Sequence, residues 1–202
     1  MQNKISNTAT VKRSGKKISA GPAEKKMKKG ENLFHDLFLD DLKDIYWAER
    51  HLSKNLPKVV KAATTDELRE AVSAHLGETE AQVKKLEKVF ELVGERAQAK
   101  KCDAMAGLVE EVAGCIEDTE KNTYTRDAGL IVCAQKIEHY EIATYGSLTE
   151  FARTMGHNEA AQILEEILEE EKAADKKLNE IATSTVNRMA LGEWEQEGVA
   201  VE

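Results

Sequence analysis

The chain has few of the residues that interrupt or staple a fold. Among its 202 residues are 2 prolines and 3 cysteines, and aromatics make up only 5%. So little proline leaves long helices uninterrupted, and few aromatics argue against a sheet-built core. Cys102, Cys115 and Cys133 are odd in number and widely spaced. That excludes a disulfide framework or a cysteine-ligated zinc site. They read as reduced, partly buried thiols in a reducing compartment, which makes the cytoplasm the expected location. No run approaches the roughly 20 apolar residues of a membrane span. The first residues lack the apolar core of a signal peptide.

What is abundant is Ala, Leu, Glu and Lys, the residues that favour helix. Hydrophobic residues make up 41% and charged residues 33%, proportions that suit one globular all-helical domain at 22.5 kDa. The formal charge of −8 conceals a division. Residues 1–30 carry a net +8 and residues 31–202 a net −16. The first 30 residues show no apolar periodicity and read as a disordered basic arm. A solubilising or docking tail is its plainer role, and weak nucleic-acid contact through phosphates is the functional alternative.

Four long apolar stripes follow in residues 31–190. The first starts near Glu31 and runs through Leu33, Leu37, Asp41, Ile45, Glu49, Leu52, Leu56 and Val59, with Pro57 as a kink or restart. Thr65 and Asp66 cap a second helix carrying Leu68, Val72, His75, Leu76, Thr79, Val83, Leu86 and Phe90, which Gly94 stops. A third spans about Thr125 to Thr154, and Gly156 ends it. A fourth, capped by Asn158, carries Ile163, Leu164, Ile167, Glu171, Ala174, Leu178 and Ile181. Residues 191–202 read as a frayed acidic tail. Short turns make helices one and two, and three and four, antiparallel hairpins. The connection of about thirty residues between them, with a short helix near Met105 to Glu117, is long enough to cross the bundle. Two hairpins and one long crossover predict a ferritin-like four-helix bundle.

Carboxylates occupy positions where leucines belong. Glu138 and Glu141 sit centrally on the third stripe, Glu171 centrally on the fourth with Asp175 one turn later, and Glu49 between Ile45 and Leu52 on the first. The second helix offers His75, Glu78 and Gln82 towards the flank of its stripe. Any one acid at a stripe's edge is ordinarily solvated, and a lone histidine is ordinarily a hydrogen-bonded flank residue. Their coincidence at mid-length on all four helices is what points to chemistry. Buried carboxylates repel one another unless a cation joins them, and spacings of three or four place two on one face. Oxygen donors with one or two imidazoles suit two iron or manganese ions. Tyr46, Tyr140 and Tyr145 lie within helical reach as electron donors, although packing is their plainer role.

These residues carry a resemblance. LFLDDLKDIYWAERHL, HLGETEAQVKKLEKVF, AQKIEHYEIATYGSL and LEEEKAADKKL resemble segments of the bacterial YciF-type stress-response proteins, a ferritin-like family. The likeness runs over about residues 33–186 and rests chiefly on ETxxQ in helix two and EHYExAxYG in helix three. It implies a ferritin-like fold, a homodimer and a site for two metal ions. By position, Glu49, Glu78, Glu138 and Glu171 match the four core carboxylates of the ferritin-like pattern, with Glu141 an additional acid. The pattern's two histidines are absent: positions 81 and 174 are alanine, and Gln82 and Asp175 are the substitutes. The expected function is a dinuclear iron or manganese protein that oxidises Fe(II) or consumes peroxide or oxygen. The alternative is a non-catalytic metal-binding or interaction module whose basic arm attaches to DNA or another anionic partner.

Overall fold

A computed structural model describes the backbone of residues 32–198 and the side chains up to Glu193. The basic arm, residues 1–30, and the last four residues of the tail lie outside the described residues. Among the described residues are six α-helices: α1 Leu33–Ala62, α2 Asp66–Leu92, α3 Asp103–Asp118, α4 Tyr124–Thr154, α5 Asn158–Ile181 and α6 Asn187–Gly198. A π-helical turn, Ala182–Val186, joins α5 to α6. There is no strand among the described residues. None of their helices is long and apolar enough to cross a membrane.

α1, α2, α5 and α4 pack in a ring. Side-chain pairs fix the directions. Tyr46 meets Glu87 and Phe90, Asp44 meets Tyr140, Glu67 meets Lys177 and Arg153 meets Glu165, so every neighbouring pair is antiparallel. The two hairpins are therefore joined by a crossover, as the loop lengths predict. The crossover leaves α2 at Gly94, whose φ of 77° lets the Glu95 amide reach back to the Phe90 carbonyl. It then crosses α1, where the Lys100 amide bonds to the Lys43 carbonyl at 3.0 Å. α3 lies over α1 and α4. Gly129 permits the approach, because a Cβ there would stand 2.6 Å from the Cys115 sulfur.

Helix starts explain local differences from the sequence reading. Asn32 and Thr65 cap α1 and α2 through their side chains, accepting from the His35 and Leu68 amides. At α5 the cap position belongs to His157 rather than Asn158. Gly156, at φ 82°, turns the chain one residue earlier than the asparagine suggests, and the Ala161 amide bonds to the His157 carbonyl. Pro57 faces outward within a continuous α1. The tail is not frayed from Leu191, since helix continues to Gly198. Its Glu193 carboxylate accepts from the backbone amides of Tyr124 (2.7 Å) and Thr125 (3.0 Å) at the start of α4. An anion at a helix N-terminus satisfies exposed amides and the helix dipole together.

The core stripe of α1 also differs at its first turns. Phe38, Leu42, Ile45, Glu49, Leu52, Leu56 and Val59 are buried, while Leu33 and Leu37 are exposed and Asp41 is half-buried. Repeated steps of four drift about 40° each around a helix of 3.6 residues per turn, so the series 33–37–41 rotates off the inner face. The alternating steps from Phe38 onward stay on it.

Candidate metal centre

Half-way along the bundle the aliphatic core gives way to ionisable groups. Ligand atoms of His75 on α2, Glu138 and Glu141 on α4 and Glu171 on α5 all lie within 4.8 Å of one another, and all four residues are buried. His75 Nε2 is 3.5 Å from Glu138 Oε1. Glu49 on α1 is fully buried beside them and accepts a hydrogen bond from the Tyr145 hydroxyl through Oε1. The Gln82 amide nitrogen donates to Glu171 Oε1, and to Glu170 Oε2 at 3.2 Å. Lys85 pairs in turn with Glu170.

The site's electrostatics are unfavourable as it stands. Burial pushes the carboxyls of Glu49, Glu138 and Glu141 well above the usual carboxylate range, and the charges of neighbouring carboxylates push the same way. Glu171 is raised too, chiefly by burial, with His75 and the Gln82 hydrogen bond opposing. No lysine or arginine among the described residues pairs with any of the four. Nine buried side-chain nitrogen or oxygen atoms lack a hydrogen-bond partner among the described residues, and eight of them belong to Glu49, His75, Gln82, Glu138, Glu141 and Glu171. Unsatisfied atoms that would scatter in an ordinary core converge on one point. Carboxylate oxygens with a single imidazole are a donor set that fits iron or manganese. His75, Glu138, Glu141 and Glu171 would hold such ions, with the free Oε2 of Glu49 alongside.

Residues 33–191 match a family described as a domain of unknown function (DUF892). The chain belongs to this family. Protein YciF of Escherichia coli (strain K12), a relative, is 46% identical over 156 residues, which span 77% of this chain and 93% of that protein. The crystal structure of the E. coli stress protein YciF superposes with a TM-score of 0.74 at 44% identity, covering 78% of this chain and 99% of that one. YcfI of Rhodopseudomonas palustris gives 0.71 at 37% identity, covering 78% and 97%. A Xanthomonas campestris pv. campestris protein at 23% identity and TM-score 0.61 shares the fold, covering 82% and 99%. The DUF892 match ends at Leu191 and so includes the five-residue π-helical turn and the first turn of α6.

Of the eight residues singled out in the sequence, the structure brings six together. Glu78 is the first exception: its side chain is 49% exposed and lies 3.7 Å from His75 Nδ1 on the outer side. Asp175 is the second. It accepts from Gln135 (3.1 Å) and faces the exposed His139 at 3.4 Å, so it belongs to the surface between α4 and α5. His75 and Gln82 are central on α2 rather than on its flank. Steps of seven from Leu68 through His75, Gln82 and Val89 keep them on the inner face.

Two supporting residues have no motif that announces them. Asp127, fully buried, accepts from the Thr64 and Thr65 amides at 2.7 and 2.8 Å and clamps the α1–α2 turn to α4. Arg126, also buried, donates to the Thr119 and Ile116 carbonyls and secures the end of α3. A charged Arg-Asp pair three and four residues after a cap residue, Thr123, is the available hint.

Proposed function

We propose that this chain binds two iron or manganese ions in the bundle core and uses them in a stress response, oxidising Fe(II) or consuming peroxide or oxygen. The observation that carries the reading is the convergence of five buried glutamate and histidine side chains, with unsatisfied ligand atoms and no lysine or arginine paired with them among the described residues. The description of the E. coli relative as a stress protein supports the physiological setting. When bound, such ions supply a redox-active or Lewis-acidic pair that takes up and polarises the oxidant.

The chain's own residues prepare the ligands. Tyr145 holds Glu49 Oε1 and Gln82 holds Glu171 Oε1, so each carboxylate presents its other oxygen to the centre. In the absence of metal the raised carboxyls keep protons. Metal binding therefore releases protons, and affinity rises with pH. Ile45, Leu148 and Ile167, one or two turns from the ligands on their helices, are fully buried.

Elemental analysis of protein purified without chelators tests the reading, beside the Glu138→Ala, Glu171→Ala double variant. About two iron or manganese ions per chain, lost in the variant, are expected. A protein that stays metal-free and gains no thermal stability with Fe(II) or Mn(II) sinks it. A second reading, a metal-binding or interaction module without turnover, is favoured by the alanines at positions 81 and 174, which leave His75 as the lone imidazole of the cluster. Its basic arm would attach to DNA or another anionic partner. Metal binding without oxygen or peroxide consumption selects it. Either reading carries a homodimer, which sedimentation equilibrium checks, in the cytoplasm, which cell fractionation checks.

A further inference from the structure

A cavity of about 1120 Å³ reaches the cluster, with His75 and Glu138 in its wall. Between α2 and α5 its lining includes Ala71, Ala74, Ala173 and Ala174, side chains too small to seal two helices against each other. The rim there is acidic: Glu67, Glu70 and Glu78 from α2 face Glu166, Glu169 and Glu170 from α5. Three of these are paired, Glu67 with Lys177, Glu169 with Lys172 and Glu170 with Lys85. Glu70 and Glu166 form no ion pair among the described residues, and Glu78 lies beside His75 with the charge of Lys85, itself paired with Glu170, also acting on it.

An acidic rim alone is a solvated surface. This rim leads to buried groups that lack partners. His75, 8% exposed, has neither ring nitrogen hydrogen-bonded, and Glu138, 2% exposed, has a free Oε2. His75 stands between the two environments. Its Nδ1 is 3.7 Å from the half-exposed Glu78 and its Nε2 is 3.5 Å from the buried Glu138. Outer carboxylate, imidazole and inner carboxylate form a row from the rim inward, with steps short enough for one ligand to take a cation before the previous one releases it.

We propose that the α2–α5 opening is the route by which a divalent cation reaches the centre, with Glu70, Glu78 and Glu166 capturing the hydrated ion and His75 passing it to Glu138. The proposal rests on the metal-binding reading above and adds a direction and a set of residues to it. Opposite-charge focusing in a cleft raises association rates without altering the final complex. Glu78 then acts in uptake, which accounts for an acid beside the cluster yet outside it. At the other end of the cavity, between α1 and α3, the lining holds only two acids, Glu110 and Glu117, beside Lys58, so the pull on a cation there is weaker than at the six-acid rim.

The test is rapid mixing of the metal-free full chain with Co(II), following the visible absorption of the bound ion, with equilibrium dialysis for stoichiometry. The Glu70→Gln, Glu78→Gln, Glu166→Gln variant is expected to take up Co(II) about tenfold more slowly at low ionic strength. The gap should close as salt is raised to about 0.5 M, with the same final number of ions. Glu110→Gln, Glu117→Gln, which removes charge at the other opening, should match the wild type. Equal rates in all three proteins, or equal slowing in both variants, overturn the route. A lower final stoichiometry in the triple variant also overturns it, because the rim acids would then be resident ligands. A wild type that takes up no Co(II) removes the centre itself and the route with it.

Discussion

Glu141 places two oxygens in the core, at 1% exposure, and neither has a hydrogen-bond partner. Glu141→Met keeps the length of the side chain and removes both. An unsatisfied buried polar group costs about 1–3 kcal/mol. Without metal, the variant is therefore expected to be more stable by about 2 kcal/mol. For a domain of this size that corresponds to a rise in Tm of about 4–8 °C. The sign with pH follows from the raised carboxyl. Below the ordinary carboxylate range Glu141 is protonated in both states and its penalty is smallest. As pH rises towards neutrality the unfolded chain releases its proton while the folded one does not, so the wild type loses stability that the variant keeps. The order reverses with metal, since ions binding only the native wild type at a hundred times their Kd add about 2.7 kcal/mol per site. Circular dichroism melts of both proteins in chelator and in Mn(II), from pH 5 to 8, measure all of this. A variant less stable than the wild type in chelator would refute the claim that these carboxylates are held against their own solvation.

Other substitutions probe the supports. Asp127→Ala leaves the Thr64 and Thr65 amides without their acceptor and should cost about 3 kcal/mol in urea unfolding, with Asp127→Asn recovering part. Glu193→Ala removes the carboxylate from the start of α4, an expected loss of about 1 kcal/mol, or about 2–4 °C in a thermal melt. Tyr145→Phe deprives Glu49 of its donor and should cost about 1–2 kcal/mol in the metal-free protein, measured by denaturant titration. It should also loosen metal binding, read as a larger Kd by dialysis.

The bundle was legible because its signal is periodic. Leucines and isoleucines at steps of three and four, two short turns and one long connection are sufficient for two hairpins and a crossover, and the structure has them. The inward acids Glu49, Glu138, Glu141 and Glu171 were legible for the same reason, as breaks in a regular pattern. Glu78 was not placed by its spacing, since standing three residues from His75 is satisfied equally by a ligand pair and by one residue in and one at the rim. A rotation of α2 decides between them, and its sequence alone does not set the angle. Asp127 and Glu193 were not legible as partners, since each acts on backbone amides more than sixty positions away and hydropathy patterns carry no such information.

Both of those carboxylates reach backward along the chain. Asp127 closes a turn made 62 and 63 residues before it, and Glu193 completes a helix start 68 and 69 residues before it. A protein emerging from the ribosome therefore exposes α1 and α2 well before the clamp on their turn exists, and α4 before its cap. The inward residues of the cluster are divided the same way: Glu49 and His75 come with the first hairpin, and Glu138, Glu141 and Glu171 with the second. Crowded negative charge thus never gathers on the first hairpin alone during synthesis, and the buried carboxylate–imidazole cluster is among the last features of the domain to come together.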